Sequence, residues 1–211
     1  MKIVFATGNK GKLREAAEIL GEGFEIVSPA DMGIFEDVEE TGLTLEENSI
    51  LKAEFIHEKT GLNCFADDTG LEVDALGGAP GVHSARYASE VAARDGDLEK
   101  AAKVDHDFSA NIEALLSELA KHPDEPRTAR FRSVVTLIWN GEKYFFEGRF
   151  DGKIAMQRAG TNGFGYDPVF IADACPEHSV AELPEEFKNE HSHRGKSLRA
   201  MAEWLKDHSQ M

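Results

Sequence analysis

The chain has 211 residues, of which 41% are hydrophobic and 29% are charged, and its formal net charge is −16. This length and composition are typical of one globular domain, or of one domain with a distinct lobe, that buries a substantial core. The negative charge argues against a nucleic-acid or anionic-membrane surface, because the phosphate groups there would be repelled at long range.

The cysteines and the hydropathy pattern predict the compartment. Cys64 and Cys175 lack the spacing of metal ligands, and Cys64 lies in an apolar run that is typical of a core thiol. The sequence shows neither a signal-peptide pattern nor an apolar span of membrane length. We therefore expect a reduced, cytoplasmic protein with no membrane or nucleic-acid partner.

The first predicted elements are a buried strand over residues 2–6 and a helix in which apolar residues recur at helical spacing from Leu13 to Leu20. The turn that joins them is Thr7-Gly8-Asn9-Lys10-Gly11-Lys12, which we call the phosphate turn after the ligand it could bind. Backbone N–H groups, a helix N-terminus and lysine together can bind a phosphate. The turn has neither P-loop nor dinucleotide spacing, so a phosphate site and a plain strand–helix connection both stay open.

An acidic loop and a capped helix come next, after a short predicted strand over residues 24–27. The loop contains Glu39 and Glu40, which are possible metal ligands, although such residues are more often solvated. The run Thr44-Leu45-Glu46-Glu47 is a capping box that opens a helix, and Gly61 ends it.

Adjacent carboxylates follow the next predicted strand, which covers residues 64–66 and leads into Asp67-Asp68-Thr69-Gly70. One interpretation is an acidic turn in which an aspartate caps the next element. The other is a magnesium site, since Mg²⁺ prefers one or two carboxylates together with phosphate oxygens and water. The carboxyl end of a strand in an α/β sheet borders the ligand crevice, which favours the second interpretation.

The rest of the chain mixes helices with a long hairpin. The predicted elements are a possible strand over 71–73, a loop over 77–81, a helix over 112–119, strands over 128–139 and 143–150 joined at Asn140-Gly141, and a final helix over 198–205. This order predicts an α/β fold with a mixed sheet and a second lobe built on the hairpin. The segment from Asp95 to Phe108 matches no motif.

Two late segments carry further chemistry. The run Gly160 to Pro168, which we call the aromatic loop, has glycines around Phe164 and Tyr166. The two rings either stack on a flat ligand or fill the core. The run Lys188 to Lys196 contains a His-x-His pair without a third ligand at metal spacing, so donors to a base or a phosphate fit it better.

Six motifs in order resemble the inosine triphosphate pyrophosphatases, also called the Ham1-like family, over nearly the whole chain. They are Thr7-Gly8-Asn9-x-x-Lys12, Glu47-Asn48-x-x-x-Lys52-Ala53, Ala66-Asp67-Asp68-Thr69-Gly70-Leu71, Leu76-Gly77-Gly78-Ala79-Pro80-Gly81-x-x-Ser84-Ala85-Arg86-Tyr87, Phe164-Gly165-Tyr166-Asp167-Pro168 and Ser192-His193-Arg194-Gly195. One small departure is Thr69, where many bacterial relatives have serine with the same hydroxyl.

The resemblance implies a role for each matching residue. Asp68 would be the catalytic carboxylate and, with Glu40, would hold Mg²⁺; Asp67 is the alternative proton acceptor, and Glu39 is the alternative ligand. The implied substrate contacts are Thr7, Gly8, Asn9, Lys10, Gly11, Lys12, Lys52, Thr69, Phe164, Gly165, Tyr166, Asp167, Lys188, His193 and Arg194.

The resemblance also implies the fold and the activity. The fold would be α/β, an elongated mixed sheet with flanking helices, two lobes and a central cleft, in a single domain over residues 1–211 that usually forms a homodimer. The enzyme would hydrolyse ITP, dITP and XTP to the monophosphate and pyrophosphate, with Mg²⁺, and so cleanse the nucleotide pool. A donor from Arg194, His193 or the loop backbone, aimed at the purine 6-oxo group, would reject adenine.

Three alternatives stay open at this point. A Maf-like pyrophosphatase would share the architecture and act on other bases. A nucleotide sensor would have lost catalysis, although Asp67, Asp68, Glu40 and Lys52 argue against that loss. An acidic interaction protein would need neither the phosphate turn nor the aromatic loop.

Overall fold

A computed structural model of the protein describes residues 1–208. Its strands are β1 Lys2–Phe5, β2 Glu25–Val27, β3 Cys64–Val73, β4 Pro80–Gly81, β5 Thr128–Trp139, β6 Glu142–Ile154 and β7 Phe170–Ala172. Its α-helices are α1 Lys10–Leu20, α2 Leu45–Thr60, α3 Tyr87–Arg94, α4 Leu98–Lys103, α5 Phe108–Leu119, α6 Glu185–His191 and α7 His193–His208.

The strands of the described residues form one seven-stranded sheet in the order β2-β1-β3-β5-β6-β7, with β4 paired to β3. Strand β1 runs parallel to β2 and to β3, whereas β4 and β7 run antiparallel to their neighbours. The predicted α/β fold with a mixed sheet and flanking helices is therefore confirmed.

The chain divides into two compact units. Unit 1 comprises Met1–Thr69, Ser133–Arg149 and the chain from Ser192 onward, and unit 2 comprises Gly70–Arg132 and Phe150–His191. The β5–β6 hairpin contributes to both units, whereas the sequence predicted that it builds the second lobe. The physical reason is that Val135, Leu137 and Ile138 near its tip are buried in the core of unit 1.

In unit 1 the central strands are buried on both faces. Alternate side chains of β1 go to different clusters, with Phe5 beside Phe65 and Leu198 of α7, and Val4 beside Ala53 of α2. This burial explains why β1 is a continuous apolar run rather than an alternating one. It also places α1 and α7 against one set of side chains and α2 against the other.

In unit 2 a single core surrounds helix α5. Its residues Ile112, Leu115 and Leu119 pack with Val73 of β3 and Phe170 of β7. Helix α4 lies in the segment from Asp95 to Phe108 that matched no motif, and α3 directly precedes that segment; neither helix was predicted. The short helix α6 was not predicted either, because its seven residues are too few to show a periodic apolar face.

Two predicted boundaries near the candidate site are wrong. Strand β3 does not end at Ala66 but continues to Val73, so Asp67 and Asp68 lie inside a strand rather than after it. The strand continues because β3 lies beside β5 in the sheet and its far end pairs with β4 at Leu71 and Glu72. Helix α7 begins at His193, which was predicted to precede it.

Other local predictions are confirmed. The capping box of Thr44 and Glu47 opens α2, and Gly61 ends it in the left-handed conformation. Positive φ angles of 52° at Asn140 and 83° at Gly141 form the predicted two-residue hairpin turn. Within the described residues, no helix combines the length and the hydropathy needed to cross a membrane.

Candidate active site

The turn between β1 and α1 is held by its own side chains. The Asn9 backbone N–H donates to Thr7 Oγ1 at 3.2 Å, and Asn9 Oδ1 accepts from the backbone N–H groups of Gly11 at 2.8 Å and Lys12 at 3.2 Å. Asn9 is therefore the N-cap of α1 and satisfies two donors of its first turn. The turn is preformed, and Gly8 and Lys10 are exposed on it.

Asp67 lies next to this turn and binds two cations. Its Oδ1 and Oδ2 accept from Lys12 Nζ at 2.8 and 2.9 Å, and Oδ2 also accepts from Arg194 Nε at 3.0 Å. The Asp67 side chain is only 1% exposed. Arg194 also has a second acidic partner, since its Nη1 lies 3.6 Å from Glu15 Oε2. Strand β1 stops opposite Phe65, so the next residues of β3 face the turn and the start of α1.

Electrostatics keep Asp67 ionised. Its burial opposes the charged form, but the charges of Lys12 and Arg194 outweigh that effect and hold the pKa of the carboxyl well below its usual range. The pKa of Arg194 is raised, because the attraction of Asp67 and Glu15 outweighs the cost of burying the guanidinium. With both oxygens engaged, Asp67 is suited to hold these cations and poorly suited to accept a proton.

Asp68 belongs to a different cluster. Successive side chains of a strand point to opposite faces, so Asp68 shares the face of Ala66, towards α2. From α2, Lys52 Nζ donates to Asp68 Oδ1 at 2.9 Å and to Glu40 Oε1 at 2.9 Å. The three side chains form a carboxylate–ammonium–carboxylate cluster beside the phosphate turn.

The carboxylates and the ammonium group of this cluster shift each other's pKa values. Burial raises the pKa of Asp68, the nearby charges of Glu40 and Asp67 add to that rise, and Lys52 opposes it. Burial works against the charged form of Lys52, but the attraction of Asp68 and Glu40 outweighs it and raises the Lys52 pKa. A carboxylate with a raised pKa is the better proton acceptor of the adjacent pair.

The donor chemistry of the cluster fits magnesium. Asp68 and Glu40 present oxygen atoms to one common cation, the Lys52 ammonium, and Mg²⁺ uses oxygen ligands of this kind. Among the described residues no three His, Cys, Asp or Glu side chains converge as a metal site. Two carboxylates suffice for Mg²⁺ when phosphate oxygens and water complete its shell. The position of Glu40 beside Lys52 favours it over Glu39.

A cavity of about 320 Å³ in unit 1 borders the phosphate turn and Lys52. Its walls are largely apolar and include Ile34, Phe35 and Phe55, and its volume is within the range of small-molecule sites. Sequence reasoning missed these three residues. The signal in the sequence is Phe35, a large apolar residue directly before the acidic loop. In the structure its side chain is 83% exposed.

In unit 2 the aromatic loop has one solvent-exposed aromatic ring. Tyr166 is 4% exposed, and its hydroxyl donates to the Ser84 carbonyl at 2.9 Å, so its ring belongs to the core and presents no stacking face. Phe164 is 71% exposed. Of the two aromatic residues predicted to meet the base, Phe164 is the one with an accessible ring.

Asp167 fixes the shape of this loop. Its Oδ2 accepts from the Phe164 backbone N–H at 3.0 Å and lies 3.9 Å from Lys188 Nζ. Burial raises the pKa of Asp167, against the effects of that N–H and of Lys188. Gly163 has φ 93°, and a Cβ there would lie 2.2 Å from Asp167 Oδ2, so a side chain at Gly163 would break the turn.

His193 is the first residue of α7 and lies close to strand β6. A Cβ on Gly148 would lie 1.9 Å from the His193 carbonyl oxygen, so only glycine allows this approach. Sequence reasoning missed Gly148. Burial, with help from the Arg194 charge, lowers the pKa of His193 to about 3. His193 is therefore neutral at pH 7 and would interact with a ligand as an uncharged imidazole.

We expect this histidine to make the protein acid-sensitive. The folded-state pKa of His193 lies below the ordinary 6.5, so the unfolded chain binds the proton first and stability falls as the pH drops from about 6.5 towards 3. The loss is at most about 4 to 5 kcal/mol at 1.36 kcal/mol per pKa unit. Urea unfolding at pH 7, 6, 5 and 4 measures it, with His193→Gln as the comparison. Parallel pH profiles for wild type and variant would contradict this expectation.

The predicted site residues divide between the two units. Unit 1 holds Thr7, Gly8, Asn9, Lys10, Gly11, Lys12, Glu40, Lys52, Asp67, Asp68, Thr69, His193 and Arg194, and unit 2 holds Phe164, Gly165, Tyr166, Asp167 and Lys188. The charged groups of unit 1 lie on the two faces of β3 next to the phosphate turn, whereas the aromatic loop is a separate feature of unit 2.

Comparisons with known proteins agree on one family. Residues 3–204 match the model of the Ham1 family. A dITP/XTP pyrophosphatase of Porphyromonas gingivalis is 47% identical over 97% of both chains, and one of Yersinia pestis is 45% identical over 98% of both. Among solved structures, a HAM1 protein from Coxiella burnetii has a TM-score of 0.86 at 34% identity and covers 98% of this chain and 99% of its own.

Proposed function

We propose, from the premise that this chain belongs to the Ham1 family, that it is a pyrophosphatase of non-canonical purine nucleoside triphosphates. It would convert dITP, ITP and XTP to the monophosphate and pyrophosphate, and so remove deaminated purines from the nucleotide pool. The observation that carries the proposal is the pair of charge clusters on β3 beside the phosphate turn: Lys12 and Arg194 around Asp67, and Asp68 and Glu40 around Lys52.

The proposal includes Mg²⁺ held by Asp68 and Glu40. When bound there, the ion would neutralise phosphate charge and lower the pKa of a bound water. The protein's overall negative charge makes such local compensation necessary for a triphosphate to bind. Lys52 contacts both carboxylates. With a nucleotide bound, its ammonium group would also contact the phosphates.

The chain's own residues would perform the proton and charge steps. Asp68 would accept the proton of the water that attacks the α-phosphorus, as a carboxylate that burial makes more basic than usual. Lys12 and Lys52 would stabilise the negative charge that develops on the departing pyrophosphate. The bond that breaks joins the α-phosphorus to the oxygen that bridges it to the β-phosphorus.

Base selection would depend on position 6 of the purine. Hypoxanthine and xanthine have an acceptor oxygen there, whereas adenine has an amino donor, so a buried donor aimed at this atom stays unpaired with adenine. An unpaired buried donor costs about 1–3 kcal/mol, which is a rate ratio of about five- to 150-fold. Arg194, neutral His193 and the backbone of the aromatic loop remain the candidate donors.

Product analysis of a substrate panel tests the function. We expect the purified protein to release pyrophosphate from dITP, ITP and XTP with Mg²⁺, and to be at least about fivefold slower with ATP. Equal rates with ATP and ITP would contradict the base selection. A preference for dTTP would favour a Maf-like enzyme, and orthophosphate as the product would contradict pyrophosphatase chemistry. Full activity without any divalent ion would contradict the magnesium proposal.

We also propose that the enzyme is a homodimer in the cytoplasm. The dimer depends on the family resemblance, and the cytoplasm depends on the cysteine and hydropathy patterns of the sequence. Light scattering, which measures the mass in solution, tests the dimer: a mass equal to that of a single chain would contradict it.

A further inference from the structure

The segment that matched no motif ends at the aromatic loop. Phe108 is the last residue of this segment and the first residue of α5, and its ring centroid lies 4.3 Å from that of Phe164 with an interplanar angle of 62°. This is an edge-to-face contact, which leaves the rest of the Phe164 ring accessible. Phe108 is itself 38% exposed, so the core does not account for the whole of its ring.

Phe108 is attached to a rigid part of unit 2. Asp107 caps α5 by accepting from the backbone N–H groups of Ser109 at 2.9 Å and Ala110 at 3.0 Å. One turn later, Asn111 accepts from the Ala88 N–H and donates to the Ala85 carbonyl, both at 2.8 Å. The start of α5 is therefore fixed to its neighbours, and Phe108 is fixed with it.

Within its own loop, Asp167 holds the Phe164 backbone, whereas the Phe164 side chain is 71% exposed. Its neighbours Gly163 and Gly165 have φ angles of 93° and 60°, which glycine adopts without strain, and neither adds a side chain that could hold the ring. A second link joins the chain before this loop to α5: Arg158 donates to Ser109 Oγ at 3.0 Å and to the Ser109 carbonyl at 2.7 Å. The loop is thus connected to the start of α5 on both sides of residue 160.

We propose that Phe108 is a positioning residue for purine binding. It holds the Phe164 ring in the orientation that stacks on the base of a purine nucleotide, and so strengthens binding of the base without contacting the phosphates. This inference rests on the proposed function, in which Phe164 meets the purine. It assigns a role to a segment that the motifs leave unexplained.

Steady-state kinetics with dITP test the inference. An aromatic pair contributes about 0.5–1.5 kcal/mol beyond burial, so Phe108→Ala should raise the KM about two- to tenfold and change kcat less than twofold. Phe108→Tyr, which keeps the ring, should restore the wild-type KM. Phe108→Leu keeps much of the apolar volume and should behave like the alanine variant. Leu98→Ala in the neighbouring α4, where Leu98 is 72% exposed, is the matched control.

Inhibition by inorganic tripolyphosphate separates positioning from a general structural effect. This probe has no base, so its inhibition constant should be the same in wild type and Phe108→Ala. An unchanged KM for dITP in that variant, or equal rises in KM and in the tripolyphosphate constant, would overturn the inference. If the wild type fails to hydrolyse dITP, the proposed function fails. Calorimetric binding of IMP then decides the role of Phe108: weaker binding to Phe108→Ala supports it, and equal or absent binding overturns it.

Discussion

Replacing Asp68 with asparagine should lower kcat for dITP by about a thousandfold or more, because the amide cannot accept the proton of the attacking water. Substrate binding should change much less than kcat, since asparagine keeps a side-chain oxygen at this position and Lys12 and Arg194 keep their partner Asp67. Pyrophosphate release measures kcat, and calorimetry with dITP measures binding. Asp207→Asn, at an exposed position of α7, is the matched control and should keep wild-type kinetics.

The two adjacent aspartates explain why this prediction names Asp68. Asp67 has both oxygens within 3.0 Å of cationic nitrogens, and its pKa is lowered. The Asp68 pKa is raised, and its contact with Lys52 uses one oxygen. If Asp68→Asn kept more than about a hundredth of the wild-type kcat, the general-base role would be wrong, because such catalysis contributes at least about a hundredfold.

Local signals made much of the fold predictable. The apolar run of β1, the capping box at Thr44 and the Asn140-Gly141 turn each specify structure within a few residues, and all three are confirmed. The structure of the phosphate turn belongs to this group, because the sequence predicts both the strand before it and the helix after it. The six motifs then identified the family, which the match over residues 3–204 confirms.

Contacts between distant segments were not predictable in the same way. Asp67 is 55 residues from Lys12 and 127 residues from Arg194, and no spacing rule connects them. The predicted strand ended too early because Asp67, Asp68 and Gly70 are poor strand formers, whereas in the structure β3 continues through them as a neighbour of β5 and pairs with β4 beyond them. Phe108 also gave no signal, because its contact partner Phe164 lies in a distant segment of the chain.

Opposite pKa shifts at Asp67 and Asp68 predict unequal losses of stability when each is replaced by asparagine. Asp67 is more stable ionised, so Asp67→Asn removes the charge that holds Lys12 and Arg194 in a buried environment. Breaking a buried ion pair from one side costs up to about 3–5 kcal/mol, and here Lys12 loses its carboxylate while Arg194 keeps only Glu15 at 3.6 Å. Asp68 is harder to ionise than usual, so a neutral asparagine there should change the free energy of unfolding by less than about 1 kcal/mol.

Urea unfolding of the two variants at pH 7 measures this difference directly. Glu99→Gln is the control for a lost charge, since its partner Lys103 is an exposed neighbour on α4 and such pairs contribute less than about 0.5 kcal/mol. A loss below about 1 kcal/mol in Asp67→Asn would show that Lys12 and Arg194 do not depend on Asp67. The same variant should also raise the KM for dITP, because Lys12 and Arg194 lose the carboxylate that fixes their positions, whereas Asp68→Asn acts on kcat. Stability and KM therefore report on Asp67, and kcat reports on Asp68.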